Sequence, residues 1–116
     1  MKPLALAQQF MDIFFSEDNP EQLKPLLSGD FTFQGPFYTF DSPEDYIEAL
    51  RSNPPQGMQY RIIRAYESES SACLIYRFIK PGVGTPMAQV FEVRDGRICK
   101  ILLLFDTRPF NIEESL

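Results

Sequence analysis

Apolar and polar positions follow two different periods along this chain, and the change from one to the other divides it near its middle. Before about residue 53 the period is mostly helical, and from Met58 onward it is two. Leu6, Phe10, Ile13 and Phe14 recur at helical spacing, widened by Ala7, Met11 and Phe15, and predict an amphipathic helix over about 3–16. Asp12 falls on the opposite face beside Gln8, Gln9 and Ser16, which places it in water rather than in a catalytic pocket. Asn19-Pro20-Glu21 opens a second helix with a capping residue, a proline at the first position and an acid in the first turn. It must be short, because Pro25 lacks the amide proton that an interior position donates. Leu23, Leu26 and Leu27 form its buried side, and Ser28-Gly29 ends it.

Residues 30–34 alternate as a strand, Gly35-Pro36 breaks it, and 37–40 form a second brief extended piece. Ser42-Pro43-Glu44-Asp45 then starts a third helix as a capping box, with Tyr46, Ile47 and Leu50 inward and Asn53-Pro54-Pro55 as the stop. Four long strands follow, over roughly 58–67, 72–79, 86–94 and 97–107. Their connectors are 68–71, 81–85 and the tight Asp95-Gly96 pair, a hairpin signal that demands antiparallel neighbours.

Charged residues sort the faces of these strands. Glu92 and Arg94 assign Met87, Gln89, Phe91 and Val93 to the buried side, and Arg77 assigns Leu74, Tyr76 and Phe78 to it. Lys100 leaves Cys99, Ile101, Leu103 and Phe105 inside, with Leu102 and Leu104 outside. Apolar residues on both faces imply two covers, one of them expected to be a second subunit bound through Leu102 and Leu104. The fold class is therefore α+β, a curved antiparallel sheet packed against three helices of the N-terminal half, in a single domain over 1–116.

Composition adds exclusions. With 116 residues and 44% apolar content there is one core and no room for a second domain. Eleven Phe and five Tyr without Trp predict a thick aromatic core or an aromatic-lined cavity. A net charge of −5 with scattered cations argues against nucleic acid, and no apolar run is long enough to cross a bilayer. Gln8, Gln9 and Asp12 interrupt the N-terminal apolar stretch, so no export signal is read and a cytoplasmic location is expected. Cys73 and Cys99 read as small buried thiols. The absence of His removes Ser-His-Asp and Cys-His catalysis, and two separated cysteines make no metal site, so neither metal nor cofactor is expected.

Several stretches together, in order, resemble the nuclear-transport-factor-2-like superfamily, and within it the SnoaL-like and ketosteroid-isomerase-like small proteins. They are Glu-Asp-Asn-Pro-Glu-Gln-Leu after the first helix, Leu-Leu-Ser-Gly-Asp-Phe-Thr-Phe-Gln-Gly-Pro-Phe, the helix opening at Ser42 and the ending Asp95-Gly96-Arg97-Ile98. The resemblance spans essentially the whole chain. It implies a cone-shaped sheet closed by helices over a pocket, often paired through the sheet. Ketosteroid-isomerase-type enzymes carry an aspartate base before a Pro-Phe pair, and the matching position here is Gly35. Their tyrosine donor falls near Met11 and their protonated aspartate at Gln89. SnoaL-like cyclases have a late aspartate that Asp106 matches loosely, without its His partner.

The candidate site residues follow from pattern and resemblance together. Gln89, between Met87 and Phe91, is either a ligand-facing amide or a core amide bonded to Gln34 or to a tyrosine. A leucine in its place is expected to leave the fold intact. Asp106 is a catalytic candidate if its pKa is raised at an apolar rim, or an outward carboxylate paired with Arg108. Arg61 and Arg64 have opposite parity, so either a bulge intervenes or Arg64 points inward to hold a carboxylate. Tyr60 and Tyr76 offer hydroxyls, Phe91 and Phe105 apolar walls, and Gln34 a second amide. The expected partner is a small apolar molecule, handled by an acid–base isomerase, cyclase or hydratase. The alternative is a noncatalytic dimerisation or ligand-carrying module.

Overall fold

The computed structural model describes residues 2–17 and 19–110, so Met1, Asp18 and residues 111–116 of the expected single domain lie outside the described residues. Helix α1 runs Pro3–Phe15, a 3-10 helix Pro20–Leu26 follows, and β1 (Leu27–Gln34) and β2 (Thr39–Phe40) flank a turn. Helix α2 (Pro43–Ser52) precedes β3 (Gln59–Glu67), β4 (Ser71–Lys80), β5 (Val83–Arg94) and β6 (Arg97–Phe105). A 3-10 turn, Arg108–Phe110, ends the described chain. The spatial order β2-β1-β6-β5-β4-β3 is one six-stranded curved sheet.

That sheet is mixed, where a purely antiparallel one was expected. Strand β1 lies parallel to β6, with Phe33 beside Ile101 and Gln34 beside Leu102. The reason is connectivity: a chain passing through α2 and three strands can return beside its start in either direction, which no local turn signal records. Strand β5 begins three residues earlier than 86, because Pro81-Gly82 alone makes the hairpin, with Gly82 at φ +83°. Asp95 and Gly96 both have positive φ, at 54° and 74°, the twist a two-residue hairpin needs.

Helix ends behave as their residues dictate. The Asn19 carboxamide accepts from the Glu21 amide at 3.0 Å, and the Ser42 hydroxyl accepts from the Asp45 amide at 3.1 Å. Helix α1 has no side-chain cap at Lys2 and is instead fastened to the edge strand. Its Leu4 amide donates to Glu67, and the Tyr60 hydroxyl donates to Asp12 at 2.8 Å. Just beyond its end, Glu17 accepts from the Gly57 amide. These bonds tie α1 and the residue after it to Tyr60 and Glu67 of β3 and to Gly57 just before it, while β3 itself stays an exposed edge strand.

The narrow half of the cone is filled by rings. Phe10 stacks on Phe14 and Tyr46 and meets Phe91 edge-on at 5.5 Å, while Tyr46 also packs on Phe31, Phe33 and Phe40. Phe10, Phe31 and Phe91 are fully buried there with Leu23, Ile98 and Ile101. Two β-bulges adjust the faces. One between Ile62 and Arg64 inserts Ile63, and one between Glu92 and Val93 shifts the register opposite Cys99. The second bulge turns Ile98 inward in place of Cys99, whose thiol donates to the Glu92 carbonyl. Both cysteines are thus half-buried free thiols rather than core residues. None of the described helices is long and apolar enough to cross a membrane.

Candidate functional site

Strands β4 and β5 bring two buried polar side chains together on the inner face of the sheet. Gln89, on β5, is 5% exposed and faces inward as strand parity requires. Its partner is Tyr76 on β4, whose hydroxyl donates to Oε1 at 2.7 Å. Gln34 takes no part: Phe31 and Phe33 occupy the inner face of β1, so Gln34 projects outward and is exposed. Among the described residues no acceptor meets the Gln89 amide nitrogen, and no fully buried side-chain nitrogen or oxygen lacks a partner. That nitrogen therefore keeps some accessible surface. Leu103, directly opposite Gln89 on β6, is half-buried as well.

Tyr76 is itself part of an aromatic cluster. Phe15, at the end of α1, lies 4.6 Å from the Tyr60 ring and 6.4 Å edge-on from Tyr76, and Tyr60 meets Tyr76 edge-on at 5.9 Å. Farther out, Phe105 packs on Phe37 and Phe110, and Lys80 sits over the Phe110 ring. Phe15, Tyr60, Leu103, Phe105 and Phe110 are all half-buried, so the wide end is less closed than the narrow one. Phe91 is no part of that wall, because the Phe10 contact buries it completely. Two hollows of about 430 and 450 Å³ are also present, and neither is lined by Gln89, Tyr60 or Tyr76.

The phenols supply neutral donors. Burial, reinforced by the neighbouring Tyr76 phenol, pushes Tyr46 far above its usual range, and burial with the Tyr60 phenol does the same to Tyr76. Tyr60 is pushed up to about 12, first by burial and then by its hydrogen bond to Asp12. All three hydroxyls remain protonated at neutral pH. Asp12 is exposed on α1, as its helical face required, and its one addition to that picture is the bond from Tyr60. Alternation had no means of showing it, since it joins residues 48 apart in sequence.

The raised pKa considered for Asp106 is reversed in the structure. Hydrogen bonds from the Arg108 guanidinium at 2.5–3.0 Å, with one from the Arg108 amide, hold its carboxyl at about 2, and the pair lies in solvent. Arg64 does not enter the cone either. The bulge at Ile63 restores its parity with Arg61, and its guanidinium donates to the Ile63 carbonyl on the exposed edge strand. No group of three or more potential metal ligands occurs among the described residues.

Gly35 sits close under a ring. A Cβ there would lie 3.1 Å from Cε1 of Phe33 and 3.7 Å from Cβ of Leu103, so a side chain at this position would have to displace the Phe33 ring by a few tenths of an ångström. Gly35→Asp is expected to lower stability by about 1–2 kcal/mol in urea melts through overpacking. Gly29→Asp, where a Cβ meets nothing within 4 Å, should stay within about 0.5 kcal/mol of wild type.

Residues 7–101 match the model of a protein family, the SnoaL-like domain. The chain belongs to that family. The SnoaL-like fold is equally plain in three dimensions. A nuclear-transport-factor-2-like protein from Cytophaga hutchinsonii superposes with a TM-score of 0.77 at 25% identity, covering 90% of each chain. An epoxide hydrolase of the LEH-like type from M. tuberculosis gives 0.77 at 20% identity, covering 97% of this chain and 87% of that one. A further nuclear-transport-factor-2-like protein, from Mesorhizobium loti, gives 0.75 at 16% identity over 88% of both chains. No protein of curated function matches this SnoaL-like chain by sequence.

Proposed function

We propose that this SnoaL-like domain binds a small, uncharged, partly aromatic molecule at the wide end of the cone, holding it by the Gln89 amide without acid–base catalysis. The observation that carries this reading is the Tyr76–Gln89 hydrogen bond. It fixes the carboxamide in one orientation and leaves its nitrogen as a donor beside the Phe15–Tyr60–Tyr76 ring cluster. A carbonyl or ether oxygen is the complementary group, and the ring walls favour a flat guest. No buried carboxylate is present among the described residues to abstract a proton in the interior. The interior titratable groups are phenols held protonated, Gly35 carries no carboxylate, and Asp106 is paired in solvent.

The structure also changes what a substitution at position 89 should do. Gln89→Leu alone strands the buried Tyr76 hydroxyl and is expected to cost about 1–2 kcal/mol, where the sequence suggested tolerance. Tyr76→Phe combined with Gln89→Leu removes both partners and should restore most of the wild-type urea midpoint. That double variant is the binding test, with acetophenone as probe in ligand-observed saturation-transfer NMR and titration. Wild type should bind it, and the folded double variant should bind about tenfold more weakly, the worth of one buried hydrogen bond of about 1.4 kcal/mol. Equal affinity in the two proteins, or no transfer from the wild type, would overturn the proposal.

A further inference from the structure

The inner face of the sheet continues past the row that holds Gln89 and Leu103. Tyr76, Met87 and Phe105 form the next row, and Tyr60, Phe78 and Thr85 the one after it. The ring of Phe110 bridges these two rows, 5.1 Å from Phe105 and 6.0 Å from Phe78, and stands edge-on to Phe37 at 5.8 Å. Lys80, in no ion pair among the described residues, lies over the Phe110 ring at 5.5 Å.

Ring packing is what fastens Phe110 to the sheet. Strand β6 stops at Phe105, and the hydrogen bonds of residues 106–110 among the described residues are all made inside that segment. The Asp106 carboxylate accepts from the amide and the guanidinium of Arg108, and the Phe110 amide donates to the Thr107 carbonyl at 3.0 Å. This clamp shapes the turn that presents the ring without tying the turn to its neighbours. Close by is a polar group with nothing to bond. Thr85, directly opposite Phe78, is 3% exposed, and no hydrogen bond reaches its hydroxyl among the described residues. No fully buried side-chain oxygen lacks a partner, so that hydroxyl keeps a little accessible surface. A nearly buried hydroxyl without a partner costs free energy that a guest's polar group would recover.

We propose that Phe110 plugs a binding subsite at the wide end of the cone, its ring holding the place that a ligand's aromatic ring takes when the 106–110 turn swings out. The walls are built for a ring: Phe37 and Phe105 meet it edge-on, Phe78 is tilted against it, and Lys80 adds a cation. Thr85 offers the guest a hydrogen bond that the Phe110 side chain cannot make. Asp106 and Arg108 are positioning residues, because their bonds hold the turn in the shape that seats the ring. The subsite does not depend on Gln89. The substrate class it implies does rest on the reading of Gln89 as anchor. A guest bonded there and seated here carries its ring one inner-face row, about 7 Å, beyond its acceptor oxygen, as an uncharged aryl-alkyl ketone or ester does.

Thiol labelling tests the plug without reference to Gln89, with circular-dichroism melts to verify folding. Thr85→Cys puts a nearly isosteric thiol beside the subsite, and peptide mass spectrometry follows its alkylation by iodoacetamide separately from that of Cys73 and Cys99. Adding Phe110→Ala should speed labelling at position 85 about tenfold, and adding Arg108→Ala about threefold, with Cys73 and Cys99 unchanged. Toluene, the phenylalanine side chain as a free molecule, should slow position 85 again about threefold in the Phe110→Ala protein. Saturation transfer to toluene from Phe110→Ala, and none from wild type, is the same test with Thr85 in place. Unchanged labelling in Phe110→Ala, a rise shared by all three thiols, or no effect of toluene would overturn the plug. If these results hold while acetophenone binds wild type and the Gln89 double variant equally, the subsite stands and the Gln89 anchor falls.

Discussion

Phe10→Ala is expected to cost about 3–5 kcal/mol, a large share of the folding free energy of this domain. The ring is fully buried where α1 crosses the sheet, stacked on Phe14 and Tyr46 and edge-on to Phe91. Those neighbours come from α1, α2 and β5, so the cavity left by the truncation would be walled by three elements that cannot all collapse inward. Truncating a buried Phe costs about 3–5 kcal/mol, against a total stability of about 5–15 kcal/mol for a typical domain. The urea midpoint should fall by more than 1 M, since a slope of ~1–3 kcal/mol/M converts the loss directly. Phe14→Ala, one turn further on and only half-buried, should cost less than half as much. Equal losses at the two positions would mean that the narrow end is not the packed centre of the fold.

Phe10 also shows why the helical half was readable from sequence. Its stripe has the period of a helix, and the residues of the opposite face are polar, so pattern and burial agree. Ser42 and Asn19 were readable for a related reason: a side chain that caps a helix acts within three residues of itself. Strand parity placed Gln89 and Tyr76 inside the cone on equally local grounds. What escaped was set by partners distant in sequence or by an extra residue. The parallel pairing of β1 with β6 brings Gln34 beside Leu102, 68 positions away in the chain, and no turn signal encodes that return. The bulge opposite Cys99 reversed its face with that of Ile98, because one inserted residue inverts a period of two.

The candidate site follows the same division. That one interior amide would need a partner was legible, and a tyrosine was among the partners considered. That this tyrosine is Tyr76 rests on the β4–β5 register, which sets Leu74 opposite Gln89 and Met87 opposite Tyr76 and so leaves the two polar side chains diagonal on one face. The direction of the Asp106 shift was legible only as a choice between two surroundings. The turn after β6 decided it by folding Arg108 back onto the carboxylate.

Gln89→Glu should turn the interior site into a pH-dependent defect. At 5% exposure a carboxylate in this position loses most of its hydration, which raises its pKa by as much as 3–5 units for a fully buried group. The Tyr76 hydroxyl, already aimed at this side chain, would donate to the charged form and cancel part of that rise. A net increase of roughly two units above the ~4.3 of an unfolded Glu is the expected balance. Between those two values the folded state holds a proton that the unfolded state has released, so stability falls as pH rises, and the loss is complete above the folded pKa. Two units correspond to about 2.7 kcal/mol. Urea melts of the variant and wild type at pH 5 and pH 8.5 should therefore show a gap that widens by about 1.7 kcal/mol from the lower pH to the higher, since about 1 kcal/mol is already lost at pH 5. A gap that stays constant would mean that position 89 is solvated when charged, and the case for a desolvated amide anchoring a ligand would fail with it.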